Sequence, residues 1–486
     1  MAAKKILFVT SEAHPLIKTG GLADVSGSLP LALKKQRHDV RLVLPAYPEV
    51  IKGAGKLQTV ATFDIAAAPQ PVTILEGNLP GSSVKLWLVQ CPVLFERNGG
   101  PYLDESGRDW GDNALRFATF CRAATEIALD QAGLDWHPDI VHCNDWQSGL
   151  VPALLSLHDN RPGTLFTVHN LAYQGLFHGD MRHALQLPDV LWSMDGLEFH
   201  GQLSFMKGGL AYADQLTTVS PTYAAEICTA AYGYGLEGLL NHRAEQLTGI
   251  LNGVDYNLWD PKNDPYIVKA YNAENVRFKQ INKLALQNSV GLKECKATPL
   301  IGMIGRFVEQ KGFDLMLEAL PDLLQQQPFQ LVVLGSGEAR YEEGFRDMVQ
   351  RYPEHVALTI GYDESHAHRI ESGADLFLMP SRFEPSGLNQ LYSLRYGTLP
   401  IVRRTGGLAD SVVDASDENR KADRATGFVF DKATPAALSQ CIFRALSLYQ
   451  RPRLWRKVMS RAMSRDFSWQ RSAKAYLECY QRATRD

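Results

Sequence analysis

No stretch of about 18 consecutive apolar residues occurs in this 486-residue chain, so a membrane-spanning helix is not expected. Cysteine is scarce and unpatterned. The seven thiols include no C-x-x-C pair, which fits a reducing compartment better than a disulfide framework. The opening residues, Met1-Ala-Ala-Lys-Lys5, run straight into an apolar strand without the longer apolar stretch and small-residue cleavage site of a signal peptide, so the cytoplasm is the expected location. A net charge of −3 leaves no basic field for nucleic acid. Walker A and nucleophile-elbow patterns are missing. The run Gly335-Ser-Gly337-Glu-Ala-Arg340 lacks the third glycine of a dinucleotide fingerprint, and no acidic residue follows at the proper strand end, so a dehydrogenase is not expected. Neither His178 with His183 nor His366 with His368 has the i, i+4 spacing of a helical metal pair, and no Asp-x-Asp closes a strand. No metal and no cofactor are therefore expected.

What is present points to α/β architecture. Hydrophobic residues make up 45% and charged residues 21%, ordinary for a globular protein with large cores. Domains run to roughly 150 residues each, so two or three are expected. Strands are predicted at Ile6–Ser11, Val40–Leu44, Val84–Val89, Asp139–Cys143, Thr164–His169, Gln215–Ser220 and Gly249–Asn252, with helical patterns such as Ala114–Ala132 between them. A second series follows at Leu300–Ile304, Gln330–Leu334, Val356–Ile360, Leu376–Pro380, Leu399–Val402 and Gly427–Phe430. Strand–helix alternation predicts parallel, doubly wound sheets. The expected domains are 1–255 and 256–486, with a linker at 256–297 and terminal helices from Pro452 onward.

Five motifs carry chemistry. Lys18-Thr-Gly20-Gly21-Leu-Ala-Asp24 recurs as Arg404-Thr405-Gly406-Gly407-Leu-Ala-Asp410, each copy after a strand and opening a helical pattern. A glycine pair before a helix leaves backbone N–H groups at the positive end of the dipole, suited to a phosphate or a sugar oxygen; read singly, each copy could also be a plain strand-to-helix turn. Arg306 and Lys311 follow the strand Leu300–Ile304 and together suit a diphosphate. Ser381-Arg-Phe-Glu384-Pro-Ser386-Gly387-Leu388 sets a carboxylate beside another helix start, where it can grip hydroxyls or stabilise positive charge at a reacting carbon. His142-Cys-Asn-Asp145-Trp146 and Thr167-Val-His169-Asn170-Leu-Ala-Tyr173-Gln174 supply the mixture of aromatic and polar groups that a carbohydrate site uses.

Together these motifs, with Gly249-Ile-Leu-Asn252-Gly-Val-Asp255, resemble the bacterial glycogen synthases and plant starch synthases, from about residue 5 to about residue 470. The resemblance implies the GT-B architecture, two Rossmann-like domains facing across a cleft, with the first on the acceptor side and the second on the nucleotide-sugar side. It implies ADP-glucose as donor, glycogen or a malto-oligosaccharide as acceptor, and retention at the anomeric carbon. By the same resemblance Lys18 contacts the donor, Arg306 and Lys311 hold the diphosphate, and Glu384 contacts the transferred glucose. His169 lies beside the anomeric carbon, Asp145 and Asn252 near the sugar, and Tyr362 on the adenine. Gly20, Gly21, Asp24, Asn170, Ser386, Gly387, Leu388, Thr405, Gly406 and Gly407 complete the implied binding set. Two positions depart from the pattern. Ser386 stands where family members commonly have cysteine, so no thiol chemistry is expected there. Tyr392 stands where many retaining GT-B enzymes carry a second glutamate, which argues against the sucrose- and trehalose-type branches.

Overall fold

The computed structural model describes residues 3–484; the extreme residues of the two expected domains, 1–2 and 485–486, lie outside them. Two compact units result, Met1–Gly253 with Trp469–Asp486, and Val254–Ser468.

The first unit is built on a nine-stranded sheet. Its parallel part runs Leu247–Gly249, Gln215–Thr218, Gly163–Val168, Ile140–Asn144, Lys5–Val9, Asp39–Pro45, Lys85–Gln90. Ile6, Leu7, Phe8 and Val9 are all fully buried, as expected of a parallel strand covered on both faces. Strand order reverses between Lys5–Val9 and Ile140–Asn144, which pair with each other. Beyond Lys85–Gln90 lie two antiparallel strands, Val72–Asn78 and Gln58–Phe63, that the sequence reading did not anticipate. Gln58–Phe63 has no buried residue, so it lacks the apolar pattern by which a strand is read. A small sheet of Leu176–His178, Gln202–Ser204 and Glu198–Phe199 was also missed, each strand being too short to show a period.

In the second unit six parallel strands stand in the order Val356–Ile360, Gln330–Gly337, Leu300–Phe307, Leu376–Met379, Leu399–Arg403, Phe428–Phe430. Numbered along this unit they read 3-2-1-4-5-6, the doubly wound order of dinucleotide-binding domains. All six predicted strands are present, with ends shifted by at most a few residues.

Two expectations about the chain's course are corrected. Residues 256–297 are not a free linker. Asp264 is buried and accepts from His368 Nδ1 at 2.8 Å and from the Tyr396 hydroxyl, while Lys279 is buried with its ammonium on the carbonyls of Glu371 (3.0 Å) and Ser372 (2.8 Å). Charges buried this way are held only where partners are fixed, so the segment is part of the second unit's core. The last helix, Trp469–Ala483, packs instead with the first unit. Its Tyr480 hydroxyl lies 2.8 Å from His142 Nδ1, Ser472 Oγ donates to Leu251 O at 2.7 Å, and Tyr476 and Tyr480 are fully buried. An amphipathic helix follows the surface that covers its apolar stripe, and that surface lies on the first sheet.

Candidate active site

In the second unit the order reverses between Leu300–Phe307 and Leu376–Met379, and ligands of such sheets bind outside the carboxyl ends at this point. Arg306 stands at the end of the first of these strands, exposed, with no hydrogen bond or ion pair to its guanidinium among the described residues. Lys311 ends the single turn Glu309–Lys311. Gly312 follows at φ +69°, and a Cβ there would come within 2.2 Å of Pro380 O. Only glycine both adopts that backbone and lets the turn pass so close to the neighbouring strand end. The approach delivers Lys311 Nζ to Glu384 Oε2 at 2.6 Å, and Ser381 Oγ donates to the same oxygen at 3.0 Å. Glu384 is buried, and its Oε1 has no partner among the described residues. Gly387, at φ +66°, turns the chain into the helix Asn389–Tyr396. The N–H groups of Ser386, Gly387, Leu388 and Asn389 meet no acceptor among the described residues. Tyr362 follows the outermost strand and is 68% exposed.

The second copy of the repeated heptapeptide is used differently from expectation. Gly407 N donates to Glu384 O at 3.2 Å and Pro385 O at 3.0 Å, so it is no open anion donor. A Cβ at Gly406 would sit 2.0 Å from Glu384 O, and one at Gly407 2.1 Å from Ser386 O. Here the glycines allow close packing behind the Glu384 loop, and Thr405 is fully buried beside them. Arg404 pairs with Asp431 at 2.7 Å, both side chains exposed.

In the first unit the corresponding glycines are open. A Cβ at Gly20 or Gly21 would meet nothing within 4 Å. Yet two of the amides there are already occupied, by a residue that sequence reasoning passed over. Glu12, buried, accepts from Thr19 N at 2.5 Å, Thr19 Oγ1 at 2.6 Å, Gly20 N at 3.3 Å and the Tyr102 hydroxyl at 2.5 Å. An internal carboxylate thus satisfies the positive end of the helix Gly21–Lys35. The signal was there in part, since Glu12 directly follows the predicted strand Ile6–Ser11. Lys18 pairs with Asp24 at 2.7 Å, both partly exposed.

Across the switch point, Asp145 has φ +55° and ψ −179°, a region that costs a non-glycine residue about 1–3 kcal/mol. Its Oδ1 accepts from His169 N at 2.7 Å. Burial pushes the Asp145 carboxyl up to about 7, against the amide bonds from His169 and Asn170 that favour its charge. His169 is buried and drawn down to about 3 by desolvation. Its Nε2 lies 3.0 Å from Asn144 Oδ1, and because the Asn144 amide nitrogen donates to Val9 O, that oxygen is an acceptor and Nε2 carries the proton. Asn170 Oδ1 accepts from Ala172 N at 3.1 Å, shaping the turn that exposes Tyr173. Asn252, at the same edge of the sheet, is buried with its Oδ1 unpartnered.

Two neighbours read as sugar-binding groups are core instead. Trp146 is 9% exposed and packs edge-on against Phe117 and Phe177, and His142 is fully buried between Tyr480 and Thr167. Among the described residues no group of three or more His, Cys, Asp or Glu side chains could hold a metal ion, and no helix is long and apolar enough to cross a membrane.

Residues 5–242 match the family model described as starch synthase catalytic domain, and residues 288–459 match glycosyl transferases group 1. The chain is 57% identical over 477 residues to a glycogen synthase of Thioalkalivibrio sulfidiphilus, covering 98% of this chain and 99% of that one. It is 54% identical over 475 residues to a glycogen synthase of Cellvibrio japonicus, covering 98% of each. Among solved structures it superposes on the catalytic domain of starch synthase IV from Arabidopsis thaliana, bound to ADP and acarbose, with TM-score 0.88 and 32% identity over 99% of this chain and 100% of that chain. A sucrose-phosphate synthase from Thermosynechococcus elongatus shares the fold at TM-score 0.60 and 18% identity, each chain 98% covered.

Proposed function

The chain belongs to the family of bacterial glycogen synthases, GT-B enzymes that move glucose from ADP-glucose to the non-reducing end of an α-1,4-glucan with retention, and we propose that its residues divide that work as follows. Arg306, Lys311 and the open amides from Ser386 to Leu388 hold the donor's diphosphate. As the bond between the anomeric carbon and the phosphate oxygen breaks, its electron pair goes to the diphosphate, and these groups meet the growing charge. Glu384 grips the transferred glucose and favours the positive charge that develops on its ring. The acceptor's 4-hydroxyl oxygen forms the new bond and gives up its proton to the departing phosphate oxygen. Tyr362 stacks on the adenine.

In the first unit, Lys18 at the open Gly20-Gly21 turn, with Asp24 beside it, contacts the donor. His169, neutral, with Asp145, Asn170 and Asn252, faces the sugar. The first unit serves the acceptor and the second the nucleotide sugar. The observation that carries the reading is the Glu384–Lys311 pair, buried at its Glu384 end, set beside Arg306 and a row of amides that have no partner among the described residues, at one topological switch point. A malto-oligosaccharide serves as a short acceptor, and the cytoplasm is the proposed location, supported by seven free cysteines.

Incubation with radiolabelled ADP-glucose and glycogen, followed by α-amylase digestion, tests the reaction. Label should enter glycogen and be released as small maltosaccharides. Label that stays in material resistant to α-amylase, or none transferred, would reject it.

A further inference from the structure

The row of free amides has a builder that lies outside every motif described above. Gln390 is fully buried in the helix Asn389–Tyr396, and its Nε2 donates to Ser386 O at 2.8 Å and Gly387 O at 3.0 Å. In a trans peptide the C=O and N–H point in opposite directions. Drawing the Ser386 carbonyl inward therefore turns the Gly387 N–H outward, and drawing in the Gly387 carbonyl does the same for Leu388. The two carbonyls before them, of Glu384 and Pro385, are held from behind by Gly407 N at 3.2 and 3.0 Å. The two anchors are joined, because Gln390 Nε2 also reaches Ser411 Oγ at 3.2 Å and Ser411 is the last residue of the helix that begins at Gly406. All four carbonyls from Glu384 to Gly387 are thus turned to the interior, while the N–H groups from Ser386 to Leu388 have no acceptor among the described residues.

From this geometry we propose that Gln390 is a positioning residue for the donor diphosphate, fixing two peptide planes so that successive amides form an anion-binding concavity. The physical need is plain. A row of like dipoles pointing one way repels itself, and without an anion the loop gains by turning a carbonyl outward. Gln390 supplies two donors from a buried amide, which makes the open arrangement the resting one and saves reorganisation when the diphosphate arrives. Its place at the second residue of the helix brings its side chain back over the Ser386–Gly387 turn. The same closeness makes glycine necessary at 387, where a Cβ would lie 2.4 Å from Gln390 Oε1. The proposal rests on the reading of these amides as diphosphate ligands.

Calorimetry with ADP and with adenosine on the full chain tests it, using Gln390→Met, which keeps the volume and removes both donors. ADP should bind about tenfold more weakly, from the loss of about one to two net hydrogen bonds, with adenosine affinity kept within about twofold. The Michaelis constant for ADP-glucose should rise while that for glycogen stays unchanged. Should Gln390→Met fail to yield folded protein, Gln390→Glu, which sets oxygen against the two carbonyls, should show the same selective loss. Equal weakening of ADP and adenosine, or an unchanged ADP affinity, would overturn the positioning role. Arg306→Ala is measured alongside: if it weakens ADP and Gln390→Met does not, only the role of Gln390 falls. If neither variant affects ADP, the diphosphate reading itself falls.

Discussion

Lys311 Nζ and Glu384 Oε2 stand 2.6 Å apart in a pair that is largely buried at the Glu384 end. Each residue therefore holds the other in place. Breaking a buried pair by removing one partner leaves an uncompensated charge, which costs more than the pair itself is worth. Glu384→Gln should lower kcat by about two to four decades, the scale of losing one electrostatic stabiliser. Lys311→Ala should do comparable damage through both the diphosphate and Glu384. The double variant should fall well short of the product of the two losses, because the residues share one function. Steady-state rates of the four proteins form the cycle, and strict additivity would show that the pair is not a unit.

Arg306 gives the contrasting case. Its guanidinium has no partner among the described residues, so the folded protein should not miss it. Arg306→Ala should leave the unfolding temperature within about 1 °C, as for a surface change within about 0.5 kcal/mol, yet cut kcat/KM for ADP-glucose by at least about tenfold. Loss of stability with normal kinetics would mark it as a structural residue.

Stability against pH is expected to carry the signature of Asp145. Its carboxyl is raised to about 7 by burial, above the unfolded value near 4, so the folded protein holds a proton that the unfolded chain has lost. That contribution is full below about pH 4 and is lost as pH rises toward 7. His169 acts in the opposite sense: lowered to about 3, it penalises the fold below its unfolded value near 6.5 and is silent above it. Asp145→Asn keeps the acceptor for His169 N–H and removes the titration. Its stability relative to the parent protein should therefore grow between about pH 4 and pH 7. Denaturant midpoints across that range check this, and a constant difference would exclude the titration.

Catalysis should proceed without a divalent cation. A unit charge about 4 Å from the leaving group is worth about 4 kcal/mol at an effective dielectric near 20, so Arg306 and Lys311 have the capacity to meet the developing charge themselves. Activity should survive exhaustive EDTA treatment and dialysis. Loss of activity that Mg²⁺ or Mn²⁺ restores would require acidic ligands instead.

The residues legible in the sequence were those with positional signals. Arg306, Lys311 and Glu384 follow apolar runs buried on both faces, and a strand's carboxyl end is where α/β sheets work. The repeated heptapeptide shows where that reasoning stops. Six of its seven residues are identical, yet Gly20 and Gly21 leave open space while Gly406 and Gly407 are wedged against the Glu384 loop. What differs is the tertiary neighbour, which no local pattern encodes. Trp146 was misread for the same reason, because an aromatic beside polar residues looks alike whether it lines a site or fills a core. Glu12 and Gln390 act through backbone amides and carbonyls of other segments, so their partners become visible only once the chain is folded. The terminal helix was assigned to its neighbours in sequence, and long-range contacts such as His142–Tyr480 and Ser472–Leu251 reveal its true location.

That last helix has a consequence for how the protein is made. Gly163, whose Cβ would fall 2.1 Å from Ala483 O, His142 and the end of the first sheet all wait for residues translated after the whole of the second unit. During synthesis the first unit emerges early but with one flank bare, whereas the second unit, Val254–Ser468, is contiguous and complete before it. The usual order of vectorial folding, N-terminal part first, is thus inverted for the finishing step. A released chain truncated after residue 468 would hold every residue of the second unit but an unfinished first one, with the flank of its sheet around His142 and Gly163 uncovered.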